Sequence, residues 1–330
     1  MIGSGLRAHA REMAFILKVL PMLPSGVVDR VTGAPIVERV RYPTRSGDVA
    51  ADLYRPPDDA RHPGMVLCLG VVPFGVDHPQ VPRLCEALTR AGFVVLIHWS
   101  DAMRDLRLVP EDADDIATAY AWLVERHDVD ERRSGIFGTC VGGSFALLAA
   151  SLPLIRDRVR FVGAFAPFSS MWTFARDIAS KSCEEGDAVR PWDVDQLTRR
   201  VFIRTVETSA AEPDARRLLD ACDRPAADQA LRALPAPARE RLDAMSPILH
   251  IQDIHAPCIV FGHDRDDRVI PVAESRRLAA ALRGRPGVRY TEYAMFQHAD
   301  PTARHLSRFA FAREVFRFYG SLHPLFTHSA

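Results

Sequence analysis

The chain has 330 residues, of which 48% are hydrophobic and 25% charged, a composition that gives room for one large globular domain and an insertion. Lysine plus arginine equals aspartate plus glutamate at 42 each, so no basic face announces an anionic membrane, and no element carries the basic stripe with interleaved aromatics that nucleic acid requires. Cys68, Cys85, Cys140, Cys183, Cys222 and Cys258 show neither paired spacing nor a CxxC, which fits a reducing, cytoplasmic setting better than a disulfide framework.

Met13, Ile16, Leu17 and Leu20 recur at helical spacing behind Arg7, Arg11 and Lys18, so residues 1–35 read as an amphipathic helix and linker. The apolar run is broken by Lys18 and stopped by Pro21 and Pro24, too short to span a bilayer, and no Ala-x-Ala-like cleavage site follows it. Such a helix packs on its own domain or on a second subunit, the latter making a homo-oligomer; a membrane-surface helix and a processed segment are the other readings.

Val37 to Tyr42 and Val49 to Tyr54 read as an antiparallel pair turned at Ser46-Gly47-Asp48. A Pro-rich loop then leads into MVLCLG, a continuous apolar run of buried-strand type. From there helices and strands alternate: helix Val81 to Ala91, strand Phe93 to His98, helix Asp112 to Arg126, strand Ser134 to Gly138, and strand FVGAFAP after one more helix. That alternation predicts a mostly parallel sheet with helices on both faces, its ligand site at the carboxyl ends of the strands. Between 169 and 245 the alternation stops in charged, Ala- and Leu-rich sequence broken by five prolines, with only Val201 to Val206 strand-like. A helical cap over the site is the expectation. The sheet resumes with PCIVFG, helix Val272 to Leu282, strand Val288 to Tyr293 and a last amphipathic helix carrying Leu306, Phe309, Val315 and Phe316. The core is thus predicted to be 36–168 plus 246–330.

The most informative stretch is GIFGTCVGGSFALLAA, residues 135–150. Gly138, Thr139, Cys140, Val141 and Gly142 spell Gly-x-Cys-x-Gly between an apolar strand and an Ala/Leu-rich helix, the nucleophile-elbow pattern with sulfur for the usual oxygen. The helix start offers backbone N–H groups and a favourable dipole to a thiolate. A buried structural cysteine in a glycine-rich turn is the bland alternative.

A nucleophile of this kind needs a base and the base an orienting acid. His298 lies just beyond the last strand and before the last helix. It is preferred over His98, His250, His255 and His263. HDRDDRVIP follows the penultimate strand, and within it Asp267 is the favoured acid, Asp266 the alternative, with the remaining aspartates pairing Arg265 and Arg268. A metal at His263 and these aspartates is set aside, because adjacent carboxylates on one loop do not converge on one ion. The oxyanion donors expected from topology are the backbone N–H groups of Val141 and Val71, with Val72 as the alternative. Phe74, His78 and Trp99 are placed at the mouth of the site.

With these residues in place the chain from about residue 37 onward resembles the α/β-hydrolase superfamily, and the cysteine makes it most similar to the dienelactone hydrolase branch. The carrying residues are Gly138-Thr139-Cys140-Val141-Gly142-Gly143, Asp267 within DDRVIP and His298 within FQHADP. The resemblance implies a Cys-His-Asp hydrolase without cofactor, acting on an activated ester, lactone or thioester of a small-molecule acyl substrate. Dienelactone hydrolases are smaller and lack the insertion and the N-terminal helix. Polyhydroxyalkanoate synthases share a Gly-x-Cys-x-Gly-Gly elbow, but their histidine usually follows a glycine where Gln297 stands here. An acyltransferase using the same three residues and a non-catalytic ligand-binding protein are the competing expectations.

Overall fold

A computed structural model of the chain describes residues 2–45, 47–71, 78–298 and 306–330. In chain order the first elements are α1 (Ile2–Val19), α2 (Gly26–Val31), β1 (Ile36–Thr44), β2 (Gly47–Arg55), β3 (Gly64–Cys68), α3 (Gln80–Arg90) and β4 (Val94–His98). Then come α4 (Asp101–Arg104), α5 (Asp112–Val124), β5 (Gly135–Thr139), α6 (Val141–Ser151) and β6 (Phe161–Phe165). The strands order as β1-β2-β4-β3-β5-β6 and continue into β9 (Cys258–Asp264) and β10 (Val288–Tyr293), with β1 and β2 antiparallel and every pair from β4 to β10 parallel. Every residue of β3, β4 and β9 is buried, which is why these strands read as unbroken apolar runs: helices cover both faces of a parallel sheet. The α6 sequence VGGSFALLAAS is buried along its whole length, as expected of a helix without a polar face.

Between β6 and β9 lie α7 (Met171–Ser180), a two-stranded hairpin of β7 (Ser182–Glu185) and β8 (Ala188–Pro191), and five helices: α8 (Gln196–Ser209), α9 (Glu212–Leu219), α10 (Arg224–Arg232), α11 (Ala236–Ala244) and α12 (Pro247–His250). The strand-like run Val201 to Val206 lies inside α8. Asp195 caps that helix by accepting from the N–H groups of Leu197 and Thr198 at 2.9 and 3.2 Å, and burial of Val201, Phe202, Thr205 and Val206 follows the helical repeat. Helical context therefore overrides β-branched propensity. The β7–β8 hairpin has no counterpart among the expected elements; its strands are four residues each and hold no buried residue.

The last elements are α13 (Val272–Ala281) and α14 (Arg308–His328). The expected apolar face of α14 is corrected: Phe309 and Phe316 are 81% and 77% exposed, whereas Phe318, Leu322, Leu325 and Phe326 are buried. These meet α1, which packs on its own domain against α3 and α14. Of the expected apolar face, Ile16 and, just past α1, Leu20 are buried, whereas Met13 is exposed and Ala8, Glu12 and Phe15 are buried in addition. Arg11 pins the seam, its guanidinium donating to Ala91 O and Ser329 O at 2.5 Å each and lying 4.6 Å over the Phe93 ring. No helix among the described residues is long and apolar enough to cross a membrane.

Glu12 is the unusual member of that face. Its Oε2 meets His323 Nδ1 at 2.6 Å while its Oε1 is buried without a partner, and burial pushes its carboxyl up to about 8. Between pH 4.5, its ordinary value, and pH 8 the folded chain keeps a proton that the unfolded chain has released, so this group costs stability as pH rises through that window. Glu12→Gln is expected to melt higher than the parent by a margin that widens from pH 5 to pH 9, read by circular dichroism; a constant margin would contradict the assignment.

Candidate active site

Cys140 joins β5 to α6 with φ +57° and ψ −140°, a conformation that costs a non-glycine residue on the order of 1–3 kcal/mol and persists only where its surroundings hold it. Two backbone hydrogen bonds do so: Cys140 N–H donates to Phe165 O at 2.8 Å, and Gly143 N–H donates to Cys140 O at 2.9 Å. Close approach explains the flanking glycines. A β-carbon on Gly142 would sit 2.4 Å from Cys68 O and 2.5 Å from Gly70 N, and one on Gly138 would sit 2.3 Å from Gly142 O. The chain leaving β3 thus lies directly against the start of α6. Val71 and Val141 both line the cavity at this junction. Val72 and Phe74 lie outside the described residues.

The parallel pairing of β9 and β10 brings the two following loops together. Asp267 Oδ2 is 2.7 Å from His298 Nδ1, and Asp267 Oδ1 accepts from the N–H groups of Val269 and Ile270 at 2.8 and 3.1 Å. Its side chain has no exposed surface, whereas Asp266 is exposed on the same loop. Burial alone would raise the Asp267 carboxyl; the charges of His298 and His263, with their hydrogen bonds, outweigh it and hold the carboxyl well below the usual carboxylate range. Burial likewise disfavours charge on His298, yet Cys140 and Asp267, each through charge and a hydrogen bond, hold its imidazole well above the ordinary value.

Two supporting residues escaped sequence reasoning. His263, passed over as a base, is fully buried, bonded to Ser275 Oγ at 2.7 Å and Ile270 O at 2.9 Å, and stands 3.3 Å from Asp267 Oδ2. Asp264 Oδ2 accepts from Phe296 N–H at 2.8 Å and its Oδ1 from Asp266 N–H at 3.1 Å, tying the acid loop to the histidine loop. Their position at the end of a strand was the signal available. Arg265, expected to pair with an aspartate of its own loop, reaches Glu292 at 3.3 Å.

Cys140 and His298 open into a cavity of about 800 Å³ that His78 also lines. Trp99 is not among the lining residues: it is buried in the core beside β4, which lies two strands from β5 in the sheet order, roughly 10 Å away. His98, set aside as a base, bonds Tyr42 Oη at 2.7 Å and is pushed down to about 4 by burial. Much of the cavity wall is apolar, and α1, α3, α7, α8 and α14 all contribute to it. The α1 and α14 parts of that wall had no local sequence signal. Among the described residues, the group whose side chains lie close enough to share a metal ion is His9, Glu12 and His323, on the α1–α14 seam rather than at the elbow.

No family model matches the chain. A segment of 113 residues is 30% identical to an uncharacterised 31.7 kDa protein of the traX-finO intergenic region of Escherichia coli, covering 32% of this chain and 38% of that protein. Another of 91 residues is 38% identical to a protein assigned as a 2-oxo-3-(5-oxofuran-2-ylidene)propanoate lactonase in Bradyrhizobium sp., covering 23% of this chain and 37% of that one. The chain therefore spans less than two fifths of the length of these relatives. Among solved structures, a puromycin-hydrolysing peptidase of Mycobacterium tuberculosis superposes with a TM-score of 0.57 at 18% identity, over 93% of this chain and 40% of that one. A protein assigned as a dienelactone hydrolase in Klebsiella pneumoniae superposes with a TM-score of 0.50 at 17% identity, over 87% of this chain and 99% of that one. The mostly parallel eight-stranded sheet with helices on both faces is the α/β-hydrolase fold.

Proposed function

We propose that this chain is a hydrolase of activated esters, lactones or thioesters that works through an acyl-enzyme on Cys140. The observation that carries the reading is the joining of three elements: a cysteine held at positive φ on the elbow, a histidine that lines the same cavity, and a buried carboxylate 2.7 Å behind that histidine. The lactonase assignment of the Bradyrhizobium relative and the dienelactone hydrolase assignment of the Klebsiella structure support an ester or lactone carbonyl as the target.

In the proposed cycle the Cys140 thiol proton passes to His298, the resulting thiolate attacks the carbonyl carbon, and the oxyanion that forms takes hydrogen bonds from the Val141 and Val71 N–H groups. The tetrahedral adduct collapses by breaking the bond to the leaving oxygen or sulfur, which takes the proton from the His298 imidazolium. Water then attacks the thioester, its proton passing to His298 as the thiolate departs, and acid is released with the enzyme unchanged. Asp267 keeps the imidazole oriented and stabilises its charge. Sulfur bears on substrate choice, because a thiolate leaves more readily than an alkoxide. Attack on an unactivated ester or amide falls back to reactants, and activated acyl groups go forward.

Mixing the protein with p-nitrophenyl acetate, quenching in acid and mapping peptides by mass tests the reading. An added acetyl group confined to the peptide holding Cys140, formed in the same interval as a burst of p-nitrophenol, is expected. Turnover without that adduct, or labelling of Cys140 no faster than of Cys85 or Cys183, would remove the proposal.

A further inference from the structure

The cavity is larger than a small lactone needs, and its two ends differ. At one end His298 is followed back along the chain by Phe296, whose ring stands 5.0 Å from that of Phe165 and 5.1 Å from that of Phe318. Phe318 in turn lies 6.3 Å from Phe15 of α1, and Val19 and Leu322 complete this wall. Apolar side chains therefore run from the imidazole to the N-terminal helix, and none of the residues that α1, β5, β6 and α14 contribute to the cavity carries a charge; Gln80 and Arg83 of α3 also line it, Arg83 Nε donating to Lys18 O at 3.2 Å. Polar side chains also line the cavity at the start of α8, among them Asp195, Gln196 and Arg200.

The geometry points to a medium- or long-chain, unbranched apolar acyl group as the substrate's acid part, seated along the Phe296–Phe318–Phe15 wall with α1 as its roof, and to a polar leaving group at the α8 end. This rests on the thiol-hydrolase reading above. A polar acyl group would lose its hydrogen bonds to water against that wall without replacement, whereas a hydrocarbon gains by leaving water. The cavity volume of about 800 Å³ lies in the upper part of the range for small-molecule sites, roughly 300–1,000 Å³. The assignment also gives α1 a role in specificity: Phe15 and Val19 sit on the same helix whose other residues fasten it to α3 and α14.

The test is a series of p-nitrophenyl esters from acetate to decanoate, run on the full chain and on Leu322→Trp and Val19→Trp, two variants on different helices that fill the arm. Burial of each methylene is expected to raise kcat/KM by about three- to fourfold from butanoate upward until the arm is full. Either tryptophan should cut the decanoate-to-acetate ratio at least tenfold. Competition between fatty acids of the same lengths and a fluorescent fatty acid on Cys140→Ala separates the two readings. Cys140-dependent hydrolysis with a flat or falling chain-length profile overturns the acyl arm and leaves the hydrolase reading standing. Fatty-acid affinity that grows with length and is lost in the tryptophan variants, with no ester cleaved, supports the arm and overturns the hydrolase reading. Absence of both overturns both.

Discussion

Replacing Cys140 by alanine is expected to lower kcat/KM for an activated ester by at least about 10⁴-fold, the scale on which removal of a nucleophile acts in hydrolases built around an activated side chain. Little stability should be lost, because alanine at φ +57° carries the same backbone strain as cysteine and the bonds to Phe165 O and Gly143 N do not involve the side chain. His298 supplies a second readout. Cys140 is the largest of the influences that raise its imidazole, ahead of Asp267, so in Cys140→Ala that histidine should titrate at lower pH than in the parent. Histidine resonances followed by NMR across pH 5 to 9 would register the shift. A variant that keeps more than a tenth of the parent activity, at an unchanged melting temperature, would mean that the sulfur does not form the acyl-enzyme.

The elbow was legible in the sequence because its glycines answer to contacts made within a few residues or with the next strand, and such contacts leave a local motif. His298 was legible from chain order alone, as it stands in the short stretch between the last strand and the last helix. Asp267 was favoured over Asp266 by its place in the loop, with Asp266 kept as the alternative, and the two differ in burial. Asp267 accepts from the N–H groups of Val269 and Ile270 and has His263 behind it, contacts that the sequence HDRDDRVIP does not itself display. The cavity wall was legible least. Phe15 and Phe318 are 303 positions apart in sequence, and each reads on its own as ordinary apolar packing. For α1 the expected stripe of Met13, Ile16, Leu17 and Leu20 was met at Ile16 and Leu20 but not at Met13, and a buried glutamate, Glu12 against His323, has no local signal in the sequence. For α8 the run of β-branched residues pointed to a strand, and the cap supplied by Asp195 two positions before Leu197 was the stronger signal.

Asp267→Asn carries the other large expected effect, a fall in kcat/KM of about 10³- to 10⁴-fold with the fold kept, by analogy with loss of the orienting carboxylate in Ser-His-Asp enzymes. Asparagine offers an N–H where His298 Nδ1–H needs an acceptor, so the imidazole loses both its orientation and the charge that helps to hold it protonated. The direction in pH follows from the parent's electrostatics. Its His298 is held well above the ordinary value, so the imidazolium that protonates the leaving group persists into alkaline solution. In Asp267→Asn the alkaline limb of kcat/KM should therefore move to lower pH, whereas a merely structural defect would scale the whole profile down without moving it. Stability gives an independent sign. The Asp267 carboxyl is depressed in the folded chain relative to its ordinary value of 3.8, so its contribution is fully present above that value and is lost as pH falls below it. On acidification from pH 6 to pH 3 the parent should lose more melting temperature than Asp267→Asn, and an equal loss in the two would argue that the carboxylate is not paired with His298 in solution.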